Sequence, residues 1–233
     1  MPGSVGYVIW ILGSLLEVSV VVCALARHTF RRYLCLNLYM LFSVLVSGLR
    51  YYMFTNFGWT SSQYKYCYYY SDAVLTIFLY LALITLYLQV FDEMKVEKYV
   101  RMAALLLLAG TALFSYGVVQ QSSHRMVTNF VYELSQNLYF VGLVLTYILW
   151  GAILKLRETR IQLIQFVLSL GVYFSAFAAT FAFKNVVSHN VVWFPYILQV
   201  LGGCLLPMAW AYAFLRLSPD ARMVPARLAV VPR

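Results

Sequence analysis

Residues 64–72, with the sequence YKYCYYYSD, overlap the start of an apolar run that extends from Tyr66 to Phe91. Asp72 lies inside this run. On a helix that turns by about 100° per residue, the residues that share a face with Asp72 are Tyr69, Thr76, Tyr80 and Tyr87. A carboxylate within the hydrocarbon of a membrane costs several kcal/mol unless it faces other protein groups and finds a partner. The run is therefore predicted to be a membrane-spanning helix surrounded by other helices.

Composition places the whole chain in the same class. Hydrophobic residues make up 63% of its 233 residues and charged residues 11%, whereas about a quarter of the residues in a soluble domain are charged. The formal net charge of +9 comes from basic residues that cluster between apolar runs, where such residues set orientation in the bilayer. The lipid bilayer is therefore the first expected partner, and nucleic acid is not expected.

Seven apolar runs predict an all-α fold, a polytopic seven-transmembrane helix bundle over residues 1–217. Their expected limits are about 4–26, 33–54, 66–91, 102–119, 127–154, 161–183 and 193–215. A crossing takes about 20 residues, so these runs leave no room for a separate soluble domain. The first run is expected to be retained rather than cleaved, because it is long, no basic residue precedes it and Glu17 interrupts it. Residues 218–233 are expected to form a basic, poorly ordered cytoplasmic tail.

Lysine and arginine are unevenly divided between the two sides of this bundle. Of the 17 such residues, those expected on one side are Arg50, Lys65, Arg125 and Lys184. The others fall in segments on the opposite side. Because positive residues concentrate in cytoplasmic loops, the amino terminus is predicted to lie outside and the carboxyl terminus in the cytoplasm. The expected location is a cell membrane, inner or plasma, that the chain crosses several times.

Three charged residues are expected at one depth, about 8 to 9 Å below the outer ends of their helices: Arg50, Asp72 and Glu133. The neighbouring turns are also polar, which predicts an outward-facing polar cavity walled by tyrosines. The residues expected to bind a ligand there are Arg50, Tyr69, Asp72, Thr76, Glu133 and Gln136. The alternative is a buried ion network that only locks three helices together.

Two acids that face one arginine leave a surplus negative charge. One carboxyl would then be protonated, paired also with Lys65, or available to a cationic ligand or a proton. A further acid, Glu17, is expected about 20 Å below the outer end of its helix, near the middle of a hydrocarbon core about 30 Å thick. Two roles stay open for it: a proton relay, or a neutral acid hydrogen-bonded to a neighbouring helix.

The sequence contains no recognisable signature of an enzyme or a cofactor site. The three histidines fall in predicted loops, the first on the opposite side from the other two, so they cannot hold one metal ion together. Nucleophile-elbow, phosphate-loop and zinc-protease motifs are absent from the sequence. The seventh span lacks a lysine, which excludes a retinal Schiff base there. We therefore expect no catalysis, no cofactor and no metal.

These patterns favour a sensor or receptor-like protein. In that hypothesis the outer cavity binds a small ligand or a proton, and the cytoplasmic loops and tail contact a protein partner. A small-solute or proton-coupled transporter is the second hypothesis, and it would use Glu17 as well as the outer cluster. The third is a non-catalytic accessory subunit of a larger membrane complex. A polar path past Glu17 would favour transport, whereas a cavity closed below Asp72 would favour sensing.

Overall fold

The computed structural model describes residues 4–27, 29–58, 60–94, 96–120, 126–186 and 193–217. Over these residues the chain is all-helical, which confirms the predicted class. The seven long helices are α1 Ser4–Ala26, α2 Leu34–Phe57, α3 Ser62–Val90, α4 Glu97–Gln120, α5 Met126–Leu156, α6 Ile161–Val186 and α7 Trp193–Arg216. A short 3₁₀ turn, Asp92–Met94, separates α3 from α4. The predicted tail, 218–233, lies outside the described residues.

The turn between α2 and α3 shows how local chemistry sets the helix limits. Gly58 follows α2 with φ of 76°, a conformation that glycine adopts readily, and its N–H donates to the carbonyl of Phe54. Ser61 then caps α3, since its hydroxyl accepts a hydrogen bond from the N–H of Tyr64. A serine cap satisfies a backbone donor that the first turn leaves unpaired. As a result α3 starts before the apolar run that begins at Tyr66.

Five helices are long and apolar enough to cross a membrane, namely α2 to α6. The apolar parts of the other two, within the described residues, are shorter, at Trp10–Ala26 and Cys204–Arg216. Large apolar side chains point outward from the bundle, most of all on α4, where Leu113 is 72% exposed. An apolar exterior of this kind is suited to lipid contact. The helices thus indicate a multi-pass membrane protein.

Six of the helices form a closed ring. Around it, α1 packs against α2, α2 against α3, α3 against α5, α5 against α6, α6 against α7, and α7 against α1. The remaining helix, α4, lies outside the ring against α5 and α3. The interior is filled by side chains that are fully buried, among them Leu36, Leu83, Phe166, Phe174 and Trp210.

Contacts between loops define one end of the bundle. Arg27 donates to the carbonyl of Leu215 over 2.8 Å, and Gln89 donates to the carbonyl of Arg32 over 3.1 Å. Arg160 donates to the carbonyl of Gln89 over 2.7 Å. The described parts of the neighbouring segments, residues 27, 29–33, 91–94, 157–160 and 213–217, therefore lie at the same end, which we call the basic end.

Candidate functional site

Arg50 on α2 is bound to α3 by several contacts. Its Nε donates to Ser71 Oγ over 2.9 Å, and its Nη2 donates to the backbone carbonyl of Tyr68 over 3.2 Å. The guanidinium carbon also lies 4.2 Å from the centre of the Tyr68 ring. A planar guanidinium suits this combination, since it can donate along its edges while its face packs on an aromatic ring.

Asp72 lies beside this guanidinium without a hydrogen bond to it. The distance from Arg50 Nη2 to Asp72 Oδ1 is 3.9 Å, and the two side chains are 19% and 20% exposed. That distance allows charge compensation but exceeds a hydrogen bond. The structure therefore brings two of the predicted charged residues together, with the donors of Arg50 directed at neighbouring groups of α3.

Ser135 on α5 completes the wall around Asp72. It lies next to the Asp72 carboxylate, and only 3% of it is exposed. Its hydroxyl lies within hydrogen-bonding reach of the Asp72 carboxylate. Buried hydroxyls are nearly always partnered, and the described residues offer Asp72 as the partner of this one.

Two other predicted residues of α3 have local partners. The Thr76 hydroxyl donates to the backbone carbonyl of Asp72 over 2.8 Å, within its own helix. The Tyr69 ring meets the Tyr132 ring of α5 edge to face, with centroids 5.9 Å apart. Thr76 is thus directed along the helix, and Tyr69 forms part of an aromatic contact between α3 and α5.

Glu133 and Gln136 do not join the cluster directly. Both are partly buried, and among the described contacts no hydrogen bond or ion pair connects either of them to Arg50 or Asp72. The buried face of α5 carries Val131, Ser135 and Leu138. Residues two positions apart on a helix lie about 200° apart around its axis. The rotation of α5 that directs Ser135 toward Asp72 therefore turns Glu133 away from it.

The second acid near Arg50 is Glu17 on α1. Ser43 on α2 donates to Glu17 Oε1 over 2.6 Å. The other oxygen, Oε2, is buried and has no hydrogen-bond partner among the described residues. Arg50 lies two turns from Ser43 on the same face of α2 and within electrostatic range of Glu17. Arg50 therefore lies beside Asp72 and within electrostatic range of a second acid, Glu17 of α1, whereas the sequence analysis had expected Glu133 of α5 in that place.

Three of the buried tyrosines form a connected group between this cluster and the basic end. They are Tyr39, Tyr139 and Tyr173, which we call the tyrosine layer. The hydroxyls of Tyr39 and Tyr173 are 3.3 Å apart, and Phe177 stacks on the rings of both Tyr139 and Tyr173. All three tyrosines are within electrostatic range of Asp72.

The sequence predicted tyrosines around the charged residues, but not the contacts of Tyr68, Ser71 and Ser135. Tyr68 and Ser71 are three residues apart, so their shared helix face was readable from the spacing. Ser135 was harder to find, because its importance depends on the rotation of α5 about its axis. Periodicity does not fix that rotation when a helix is polar on more than one side.

The cavities that the structure describes lie elsewhere. Two are at the basic end, with volumes of about 480 and 250 Å³, and one of about 420 Å³ lies between α5 and α6. Within the described residues, no group of three or more histidine, cysteine, aspartate or glutamate side chains could hold a metal ion.

Comparisons with protein families, with curated proteins and with solved structures found no match to this chain.

Proposed function

We propose that the protein is a membrane sensor of seven spans, with its amino terminus outside and its carboxyl terminus in the cytoplasm. Its recognition site would be the Arg50–Asp72 pair together with Ser135 and Glu17, and its ligand a small cation, a small polar molecule or a proton. The ring of α1, α2, α3, α5, α6 and α7 supports seven spans, since α1 and α7 pack as the other helices do. The arginines of the basic end support this orientation.

The observation that carries the proposal is the packing on the inner side of the site. The tyrosine layer closes the bundle below Asp72, and fully buried side chains such as Phe166 and Trp210 follow toward the basic end. Asp72 itself is partly exposed. A site that is accessible on one side and densely packed on the other is suited to binding and signalling. Transport would need a passage through these buried rings.

The first test uses the proton as the ligand. The full chain in detergent micelles, with Asp72→Asn as the variant, is unfolded by heat at a series of pH values. If Asp72 exchanges a proton with the solvent, the melting temperature of the wild type changes with pH and this change is altered in Asp72→Asn. Glu133→Gln is the matched control, because it removes a carboxyl that is not joined to Arg50. Equal pH responses and equal stability of wild type and Asp72→Asn would refute the role of Asp72.

A specific observation favours a second function, proton-coupled transport. Glu17 carries a buried oxygen that has no hydrogen-bond partner among the residues that the structure describes, and an acid of that kind within a membrane helix is typical of proton pathways. Liposomes that contain the protein and a trapped pH dye separate the two functions after a step in external pH. A sensor leaves the internal pH as it is in empty liposomes. A protein-dependent flux that Glu17→Gln abolishes would replace the sensor proposal with the transporter.

A further inference from the structure

We propose that a cavity at the basic end, between the last turns of α1 and α7, binds the phosphate group of an anionic phospholipid. The cavity has a volume of about 250 Å³ and is lined by Arg27, Arg216, Phe214, Leu215 and Leu217 among others. Its lining thus combines two guanidinium groups with an apolar wall. Those are the two chemistries that a phospholipid presents where its headgroup meets its acyl chains.

The charged residues described as lining this cavity are both basic. Arg27 and Arg216 both line it, and none of the residues described as lining it is acidic. Arg27 uses one nitrogen, Nη2, to donate to the carbonyl of Leu215 near the end of α7, which fixes the side chain and leaves other N–H groups of the guanidinium for a ligand. Guanidinium groups bind phosphate oxygens through paired hydrogen bonds.

The other cavity at the basic end provides a contrast. Arg32 and Arg160 line it, but so do Asp92 and Glu97. Arg160 is in addition bound to both carboxylate oxygens of Glu158. The positive charges there are compensated by acids of the same chain. An anion should therefore bind preferentially in the cavity of Arg27 and Arg216.

The position of the cavity identifies lipid as the source of the phosphate. Both arginines lie at the ends of apolar helices whose neighbouring side chains, Leu25, Tyr212 and Leu215, are exposed on the outside of the bundle. Basic pockets between membrane helices on the cytoplasmic side bind anionic headgroups. The choice of leaflet rests on the proposed orientation, whereas the phosphate chemistry does not depend on it.

The test measures retained lipid on the full chain by native mass spectrometry. Protein purified in detergent is titrated with phosphatidylglycerol and, in parallel, with phosphatidylcholine. We expect the wild type to prefer phosphatidylglycerol and Arg216→Gln to bind it roughly fivefold more weakly, the effect of one basic residue near an anionic headgroup. Arg31→Gln is the matched control, since it removes an equal charge from an exposed residue of the same end that does not line the cavity. Arg216 is exposed at the end of α7, and an unchanged melting temperature verifies that the variant is folded.

Two results would overturn the proposal. The first is that Arg216→Gln and the control Arg31→Gln have the same affinity for phosphatidylglycerol, whether that affinity equals the wild-type value or falls below it. Equal affinities of the two variants would show that this cavity does not select the lipid. The second comes from a competition arm with inorganic phosphate. Displacement of the lipid by inorganic phosphate at a matching concentration would identify a soluble phosphate compound as the ligand and exclude the lipid. Retention of phosphatidylglycerol in that arm supports the proposal.

Discussion

Replacement of Arg50 by lysine separates the geometry of the site from its charge. Arg50 donates to Ser71 Oγ and to the Tyr68 carbonyl while the face of its guanidinium covers the Tyr68 ring. Lysine keeps the positive charge, but its ammonium group cannot make all three contacts at once. A hydrogen bond to a charged group contributes about 1.5–3 kcal/mol, and a cation–π contact about 0.5–2 kcal/mol. Lysine can retain about one of these contacts. We therefore expect Arg50→Lys to lower the free energy of unfolding by about 2–4 kcal/mol.

Asp72→Asn provides the comparison, because it removes the charge and keeps the shape. The nearest approach of the two charged groups is 3.9 Å, and both side chains are partly exposed. Ion pairs of this type contribute about 1 kcal/mol or less. We therefore expect the loss of stability to be greater for Arg50→Lys than for Asp72→Asn. If the ion pair were the only contribution of Arg50, the order would be reversed.

Unfolding in mixed micelles, by heat or by added denaturing detergent, measures both variants. For a chain of this length about 1 kcal/mol corresponds to roughly 2–4 °C in melting temperature, so Arg50→Lys should melt well below the wild type. Arg101→Lys is the control for the exchange itself, since Arg101 and its partner Glu97 are each 63% exposed. An Arg50→Lys protein as stable as the wild type, together with a destabilised Asp72→Asn, would refute the reasoning.

Two further substitutions test the packing and the basic end. In Gly142→Ala the added Cβ would lie 2.6 and 2.7 Å from Cζ and Cδ1 of the fully buried Phe174 ring, so we expect thermal unfolding to show a loss of about 1–3 kcal/mol. Hydrogen bonds from Arg160 lower the pKa of Glu158 from its ordinary value of 4.5. The carboxylate therefore stabilises the fold above pH 4.5, and this contribution is lost as the pH falls through the lowered pKa. At neutral pH the free energy of unfolding of Glu158→Gln should therefore be about 1 kcal/mol lower than that of the wild type. In acid the stabilities of the two proteins should converge.

Each of these substitutions has a control in the same chain. Gly110→Ala adds a methyl group that meets no described atom within 4 Å beyond its chain neighbours and the nearby backbone of its own helix, so it should be neutral or slightly stabilising, because alanine is the better helix former. Glu97→Gln removes an acid whose pair with Arg101 is exposed, and its melting temperature should stay close to that of the wild type. A Gly142→Ala protein as stable as Gly110→Ala would show that α5 and α6 can separate at no cost. A difference between Glu158→Gln and wild type that persists in acid would exclude the ion pair as its cause.

The helices could be predicted from the sequence because their cause is local. Runs of apolar residues long enough for a membrane gave the α-helices, and their observed limits differ from the expected ones by a few residues at the ends. The largest shifts are at the starts of α3 and α4, which begin at Ser62 and Glu97 rather than near Tyr66 and Met102. Polar first turns, such as the one capped by Ser61, extend a helix beyond its apolar part.

The relations between helices could be predicted only in part. A charged residue inside an apolar run must face protein, and this rule placed Arg50 and Asp72 together. It does not determine which neighbour supplies the next group. On α5 the side chain that reaches Asp72 is Ser135, whereas the sequence favoured Glu133, because the rule assigns the interior to the charged residue. The partial exposure of Glu133 removes the need for a buried partner.

The second acid near Arg50 is Glu17 rather than the expected Glu133, and this difference changes how the proposed site would operate. Arg50 lies within electrostatic range of both Glu17 and Asp72, and Ser43 on the same face of α2 bonds to Glu17. Both acids therefore lie in the positive potential of the same guanidinium. A cation or proton that binds at Asp72 adds positive charge beside Arg50 and so changes the net potential that these groups produce at Glu17. Binding at the exposed end of the cluster would thus be felt on α1, the helix that joins α2 to α7 in the ring.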